Sequence, residues 1–188
     1  MTEPTSERKT TFTLEMTSPD QARGKRTHVP GLEIRRVQIP CPEFSWFLHE
    51  AVGTEYRWGG REDWGRRQWT QRVQRPEMET WVGYLSGTPA GYYELERQPD
   101  GSVRILHFGL MPAFVGKGLG GRLLTEAVDR AWAIGAVRVW VRTCSHDHPH
   151  ALSNYLARGF TLVGQTQGPA NRARRSALFG GRDDGPAE

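Results

Sequence analysis

Apolar and polar positions follow two periods along the chain, and these periods predict its strands and helices. Alternating and short apolar runs indicate strands. They cover 11–16, Leu32–Ile39, Glu79–Leu85, Gly91–Arg97, Val103–Leu110, Val137–Thr143 and Thr161–Gln165. Helical spacing predicts helices at about Pro42–Ala51, Asp63–Arg75, a segment that begins near Leu119 and ends at Gly135, and Pro149–Arg158.

Turn signals give the order in which these elements connect. Ser86–Pro89 and Gln98–Gly101 contain the residues that favour tight turns. Three strands should therefore form an antiparallel meander, which a strand–helix–strand half follows. We predict an α/β (α+β) fold with a mixed, mostly antiparallel central sheet of six to seven strands, flanked by about four helices.

Composition indicates one domain with polar ends. The 188 residues are 37% hydrophobic, which is enough for a core. We expect a polar extension at 1–31 that contains the strand at 11–16, a body at 32–165, and a tail at 166–188 with a candidate last strand at Leu178 and Phe179. No apolar run approaches 18 residues and no signal pattern opens the chain, so a cytoplasmic location without membrane association is expected.

A glycine-rich stretch is the strongest chemical signal. Gly116, Gly118, Gly120 and Gly121 fall within six residues, between a predicted strand and an amphipathic helix. Glycines let the backbone approach a ligand, and a helix N-terminus directs free N–H groups at an anion. A dinucleotide fold would need an acidic residue after the next strand, and a Walker loop would need Lys and Ser or Thr. Neither is present, so the stretch predicts a site for another phosphorylated cofactor.

The segment Val115–Gly120 resembles the acyl-CoA loop of the GNAT family of N-acyltransferases, whose pattern is Gln/Arg-x-x-Gly-x-Gly/Ala. Val115 stands where the family has a polar residue. The segment Ala151–Phe160 is similar to a later helix of that family, with Tyr155 four residues before Gly159 and His148 where Asn is frequent. The resemblance implies acetyl-CoA as co-substrate, no metal, and these cofactor-binding residues: Leu110, Val115, Gly116, Lys117, Gly118, Gly120, Gly121, His148 and Tyr155.

The implied reaction is direct transfer of an acetyl group from CoA to a primary amine. Tyr155 would be the general acid, and a main-chain amide near Leu110 would stabilise the oxyanion. Many family members have a carboxylate where this chain has Arg104. We therefore expect Glu94 as the base. Other candidates are Glu96, His107 and the cluster His146, Asp147, His148 and His150.

Residues 55–75 interleave aromatic and arginine side chains and form the candidate acceptor site. Trp58, Trp64, Arg57 and Arg61 would bind a small-molecule amine of acidic or aromatic character. The same pattern also fits simple packing or single-stranded nucleic acid. A catalytically inactive acyl-CoA-binding regulatory domain is a further alternative. Dimers are common in the family, so a homodimer is one expectation.

Overall fold

The computed structural model describes residues 7–171 and residue 178, and its central feature is one sheet of seven strands. The strands are β1 (Arg8–Met16), β2 (Leu32–Arg36), β3 (Met78–Leu85), β4 (Thr88–Arg97), β5 (Ser102–Leu110), β6 (Arg138–Cys144) and β7 (Thr161–Pro169). The α-helices of the described residues are α1 (Pro42–Gly53), α2 (Arg66–Val73), α3 (Leu119–Ala133) and α4 (Ala151–Ala157).

The sheet is mostly antiparallel, which confirms the predicted fold class. The spatial order is β2-β3-β4-β5-β6-β1-β7, and β5 with β6 forms the parallel pair. β1 lies between β6 and β7 and is antiparallel to both. Its Leu14 and Met16 are fully buried in the core. The predicted boundary after residue 31 therefore separates β1 from the sheet that contains it.

Several element ends differ from the prediction for local reasons. β2 stops at Arg36, before the exposed Ile39 and before Pro40, which has no N–H to donate. α2 begins only at Arg66, with Gly65 as its N-cap. β7 extends to Pro169 because β1 pairs with it along its whole length, although its last residues are polar. Within the predicted last strand, Phe179 lies outside the described residues.

Two apolar clusters pack on the sheet, one under α3 and α4 and the other under α1. Helical spacing predicts an apolar stripe on α3, and six of its seven residues are buried: Leu119, Leu123, Leu124, Ala127, Val128 and Ala131. The seventh, Trp132, is partly buried. The α1 cluster is smaller and contains Leu48, Val52, Val82 and Tyr92. Between α1, α2 and the sheet lies an unusual set of buried charges, described below.

A β-bulge on β5 shapes the site. Glu94 of β4 lies opposite His107, whereas Leu95 lies opposite Ile105, so Leu106 is the extra residue. β5 pairs with β6 only from Ser102 to Ile105. Beyond that point the two strands part.

Candidate active site

A cleft of about 910 Å³ opens where β5 and β6 separate. One wall is the end of β5 and the other is the end of β6 with α4, while the loop before α3 lies at one end. The main-chain groups of β5 after Ile105 have no partner on the β6 side. They are therefore available to a bound molecule.

The glycine loop has the geometry that the sequence predicts for a phosphate site. Gly116 and Gly118 have φ values of +79° and +75°, a conformation that favours glycine. Gly118 is the N-cap of α3 and provides no side chain to cap it, so the first N–H groups of the helix can bind an anion. A Cβ at Gly116 would meet no atom within 4 Å, which leaves room for a ligand. The loop can therefore bind an anionic group such as a phosphate.

The predicted cofactor residues divide into two groups. Six of them line the cleft: Leu110, Val115, Gly116, Gly118, His148 and Tyr155. Lys117, Gly120 and Gly121 do not line it. The ammonium group of Lys117 lies 5.2 Å from the centre of the Phe114 ring. Gly121 is covered by Arg158 and Lys25, whose side chains leave no space for a Cβ.

Lys25 is a site residue that sequence reasoning missed. Its main-chain N–H donates to Thr125 Oγ1 on α3 at 2.8 Å, and its Nζ donates to the carbonyl of Gly118 at 3.3 Å. The segment before β2 thus brings a cation to the glycine loop. No motif marks Lys25, because 93 residues separate it from Gly118. Its charge lies where phosphates would bind.

Tyr155 lines the cleft from α4 and is 5% exposed. Its ring packs edge-on against Phe108 and Phe160, at centroid distances of 6.0 and 5.7 Å. Burial, together with the charge of Asp147, raises the pKa of the Tyr155 hydroxyl above its ordinary value. The hydroxyl is therefore protonated at neutral pH and can donate a proton.

Glu94 is buried behind the cleft rather than on its surface, with 2% exposure. Its Oε2 lies 2.9 Å from Nδ1 of His107, 3.3 Å from Nη2 of Arg61 and 3.7 Å from Nη2 of Arg72. Burial alone would raise the pKa of Glu94, but the hydrogen bond with His107 and the two arginine charges hold it well below its ordinary value. Glu94 is thus ionised and can act on the cleft only through His107.

His107 is the titratable group that connects Glu94 to the cleft, which it lines. Burial, assisted by Arg61, lowers its pKa even though Glu94 opposes the change. Nδ1 lies 2.9 Å from Glu94 Oε2 and 3.3 Å from Arg61 Nη2. An ionised carboxylate only accepts hydrogen bonds, so the shorter contact, with Glu94, places the proton of the neutral ring on Nδ1. Nε2 then keeps its lone pair. The His107 ring packs on Trp58, with centroids 4.9 Å apart.

The residues predicted to bind the acceptor also fall into two groups, of which one lines the cleft and the other does not. Trp58 and Arg57 line the cleft, and Trp58 Nε1 donates to Asp147 Oδ1 at 3.3 Å. Arg61 and Trp64 do not line it. The Arg61 guanidinium lies against Glu94 and 4.9 Å from the centre of the Trp64 ring. Arg61 turns away from the cleft because the buried carboxylate of Glu94 needs a cationic partner.

Within residues 7–171 and 178, no group of three or more His, Cys, Asp or Glu side chains is arranged to hold a metal ion. No described helix is both long and apolar enough to cross a membrane.

Comparison with known proteins now decides the family. The model of the "Acetyltransferase (GNAT) family" matches residues 42–160. The chain belongs to the GNAT acetyltransferase family. This confirms the resemblance of the glycine loop and the later helix.

Among similar proteins, the N-alpha-acetyltransferase RimI of Mycobacterium tuberculosis is 40% identical to this GNAT chain over 109 residues. The match covers 56% of this chain and 66% of that protein, slightly less than two thirds of its length. A GCN5-related N-acetyltransferase from Sphaerobacter thermophilus has a TM-score of 0.64 at 18% identity, covering 84% of this chain and 49% of the other. An aminoglycoside acetyltransferase from an uncultured soil metagenomic sample has a TM-score of 0.57 at 15% identity, covering 68% and 87%. The structural matches show a shared fold.

Proposed function

We propose that this GNAT chain is an N-acetyltransferase that transfers the acetyl group of acetyl-CoA to a primary amine. The observation that carries the proposal is the cleft itself. It brings the glycine loop, Tyr155 and His107 together along the part of β5 that pairs with β4 but no longer with β6. When bound, acetyl-CoA supplies an activated acyl group as a thioester.

The binding residues follow from the geometry. The N–H groups at the start of α3 would hold the pyrophosphate, and Lys25 would add a positive charge beside them. Val115, Gly116 and Leu110 line the path from this loop into the cleft. The free main-chain N–H groups of β5 would stabilise the negative charge that develops on the carbonyl oxygen.

Two side chains would move protons. The acceptor amine loses a proton as its nitrogen bonds to the acyl carbon, and Nε2 of His107 accepts it. Glu94 is a positioning residue in this scheme, since it fixes the His107 ring and stabilises the imidazolium. As the carbon–sulfur bond breaks, Tyr155 donates its proton to the leaving thiolate. Each proton thus has a donor and an acceptor.

The size of the acceptor is the finer part of the proposal. The sequence predicts a small molecule, whereas the name of the Mycobacterium relative favours the α-amino group of a polypeptide as a second candidate. The cleft lining supports an amine in either setting, because His107, Trp58 and Arg57 all belong to it. The packing of Arg61 and Trp64 against internal groups weakens the nucleic-acid alternative.

One experiment tests the function and its alternatives. The purified protein is titrated calorimetrically with acetyl-CoA, and thiol release is then followed over a panel of amino acids, aryl amines, polyamines and short peptides. We expect binding and release with one class of amine, with the acetylated product identified by mass spectrometry. Binding without release on the whole panel would favour the inactive regulatory domain, and absence of binding would refute the assignment of the glycine loop.

A further inference from the structure

The cleft is lined by more cationic side chains than carboxylates. Four cationic side chains line the cleft, namely Lys9, Arg57, Arg104 and Arg142, against the single carboxylate of Asp147. Arg57 pairs with Glu7 at 2.6 Å, and Lys9 donates to the neutral amide of Asn171 at 2.8 Å. Arg104 and Arg142 form no ion pair with any acidic side chain of the described residues. Glu96 lies opposite Arg104 in the β4–β5 pair and attracts its charge, but its ion pairs are with Arg72 and Arg75.

Arg104 is held in a fixed orientation. It lies opposite Trp140 in the parallel β5–β6 pair, and its guanidinium carbon is 4.8 Å from the centre of that ring. Arg142 lies 5.7 Å from the same ring. The Nε of Arg104 is buried and has no hydrogen-bond partner among the described residues. A stacked guanidinium with unused donors is well suited to bind a carboxylate.

These arginines lie too far from the loop to serve the phosphates of CoA. Arg104 and Leu110 are six residues apart on β5, and at about 3.3 Å per residue this is about 20 Å. His107, in contrast, lies opposite Glu94 while Arg104 lies opposite Glu96, so the two are about 7 Å apart along the strand. An amine beside His107 would therefore place the rest of the acceptor within reach of Arg104.

We propose that the acceptor carries a carboxylate a few bonds from its reacting amine, and that Arg104, with Arg142, binds this carboxylate. The proposal rests on the proposed transferase function, since it assigns the specificity of the same cleft. The carboxylate could belong to a free amino acid-like molecule or to an acidic residue near a peptide N-terminus. In both cases the group that Arg104 binds is a carboxylate.

The test uses two pairs of acceptors that differ by one charge. The small-molecule pair is 5-aminopentanoate and 5-aminopentanamide, and the peptide pair is Ser-Glu-Ala-amide and Ser-Gln-Ala-amide. In one of the two pairs, we expect kcat/KM for the acid to be at least about tenfold higher than for its amide. The pair that shows this preference tells whether the acceptor is a small molecule or a peptide. Arg104→Gln should reduce that preference to less than about threefold.

The matched control is Arg138→Gln. Arg138 lies over the same Trp140 ring, at 5.5 Å, but does not line the cleft. The Arg138→Gln variant should keep the full preference for the acid over its amide. Arg104→Lys keeps the positive charge but loses the two parallel donors of the guanidinium, so it should keep part of the preference for the acid. This variant replaces Arg104→Gln in the test if Arg104→Gln fails to fold.

Other outcomes are equally decisive. Equal use of acid and amide in both pairs, or a preference that survives Arg104→Gln, would overturn the proposal while leaving the transferase function intact. If neither pair is acetylated, the same compounds are titrated calorimetrically into the CoA-saturated protein. Tenfold tighter binding of an acid would then support the carboxylate site and count against transfer, whereas equal or absent binding would refute the site.

Discussion

Glu94→Gln is the most informative perturbation, because it removes one charge and almost no volume. Glu94 is 2% exposed and faces Arg61, Arg72 and His107 at 3.3, 3.7 and 2.9 Å. Glutamine keeps an oxygen that accepts from one of these groups. It cannot neutralise two guanidinium groups that lie side by side in the interior.

The expected loss of stability is large. Removing one partner from a buried ion pair costs about 3–5 kcal/mol, against a total of about 5–15 kcal/mol for a typical domain. For a chain of this length, we expect the melting temperature to fall by about 6–20 °C. Glu96→Gln is the matched control on the same strand. Its partners are Arg72, which keeps Glu94 as a second carboxylate, and Arg75, which is 43% exposed, so we expect a smaller loss of about 1–2 kcal/mol.

The assay is urea unfolding followed by tryptophan fluorescence, at several pH values. The folded pKa of Glu94 lies below the ordinary value of 4.5, so its contribution is complete above that pH and decreases as the pH falls below it. The difference between wild type and Glu94→Gln should therefore narrow in acid. A loss no greater than that of Glu96→Gln, or a difference that does not change between pH 6 and pH 3, would refute this account of the buried charges.

Three further predictions concern the reaction. Because the pKa of His107 is lowered and the base must be neutral, the part of the fall in kcat/KM that protonation of His107 causes should occur only below about pH 6.5 and be absent from His107→Gln, which should lower kcat by about 10²-fold or more; a pH profile of each protein checks this. Tyr155→Phe should lower kcat with little effect on the affinity for acetyl-CoA, since the ring stays, and wild-type turnover would reduce Tyr155 to a packing role. Gly118→Glu should abolish acetyl-CoA binding in calorimetry, whereas Gly135→Glu, at a similar φ of +86° beyond the C-terminus of α3, should lose comparable stability and bind normally.

Local signals predicted the parts of the site that are local in the chain. The glycine loop, the α3 stripe and the helix that carries Tyr155 each follow from spacing within about twenty residues. The residues that would bind the acceptor were harder to predict from the sequence. An alternation of Arg and Trp shows which side chains are present, but not in which direction they point. Arg61 turns inward because it pairs with Glu94, which lies on a strand 33 residues later in the sequence.

Two other features have no sequence signal at all. The bulge at Leu106 sets which β5 side chain lies opposite Glu94, and nothing in the apolar pattern of that strand marks the extra residue. The position of β1 between β6 and β7 depends on pairing between the two ends of the chain. Periodicity shows that a segment is a strand, but not which strand it will pair with.

The pairing of β1 with β7 also determines how this protein can be engineered. The N–H of Ala170 donates to the carbonyl of Glu7 at 2.8 Å, so the two ends of the described sheet touch. Lys9 and Asn171, beside these ends, line the cleft. A fusion tag attached close to either position would start beside the cleft. A circularly permuted chain, joined across residues 7 and 170 and opened at the turn of Ser86 and Gly87, keeps every strand pair and moves both new ends into that turn.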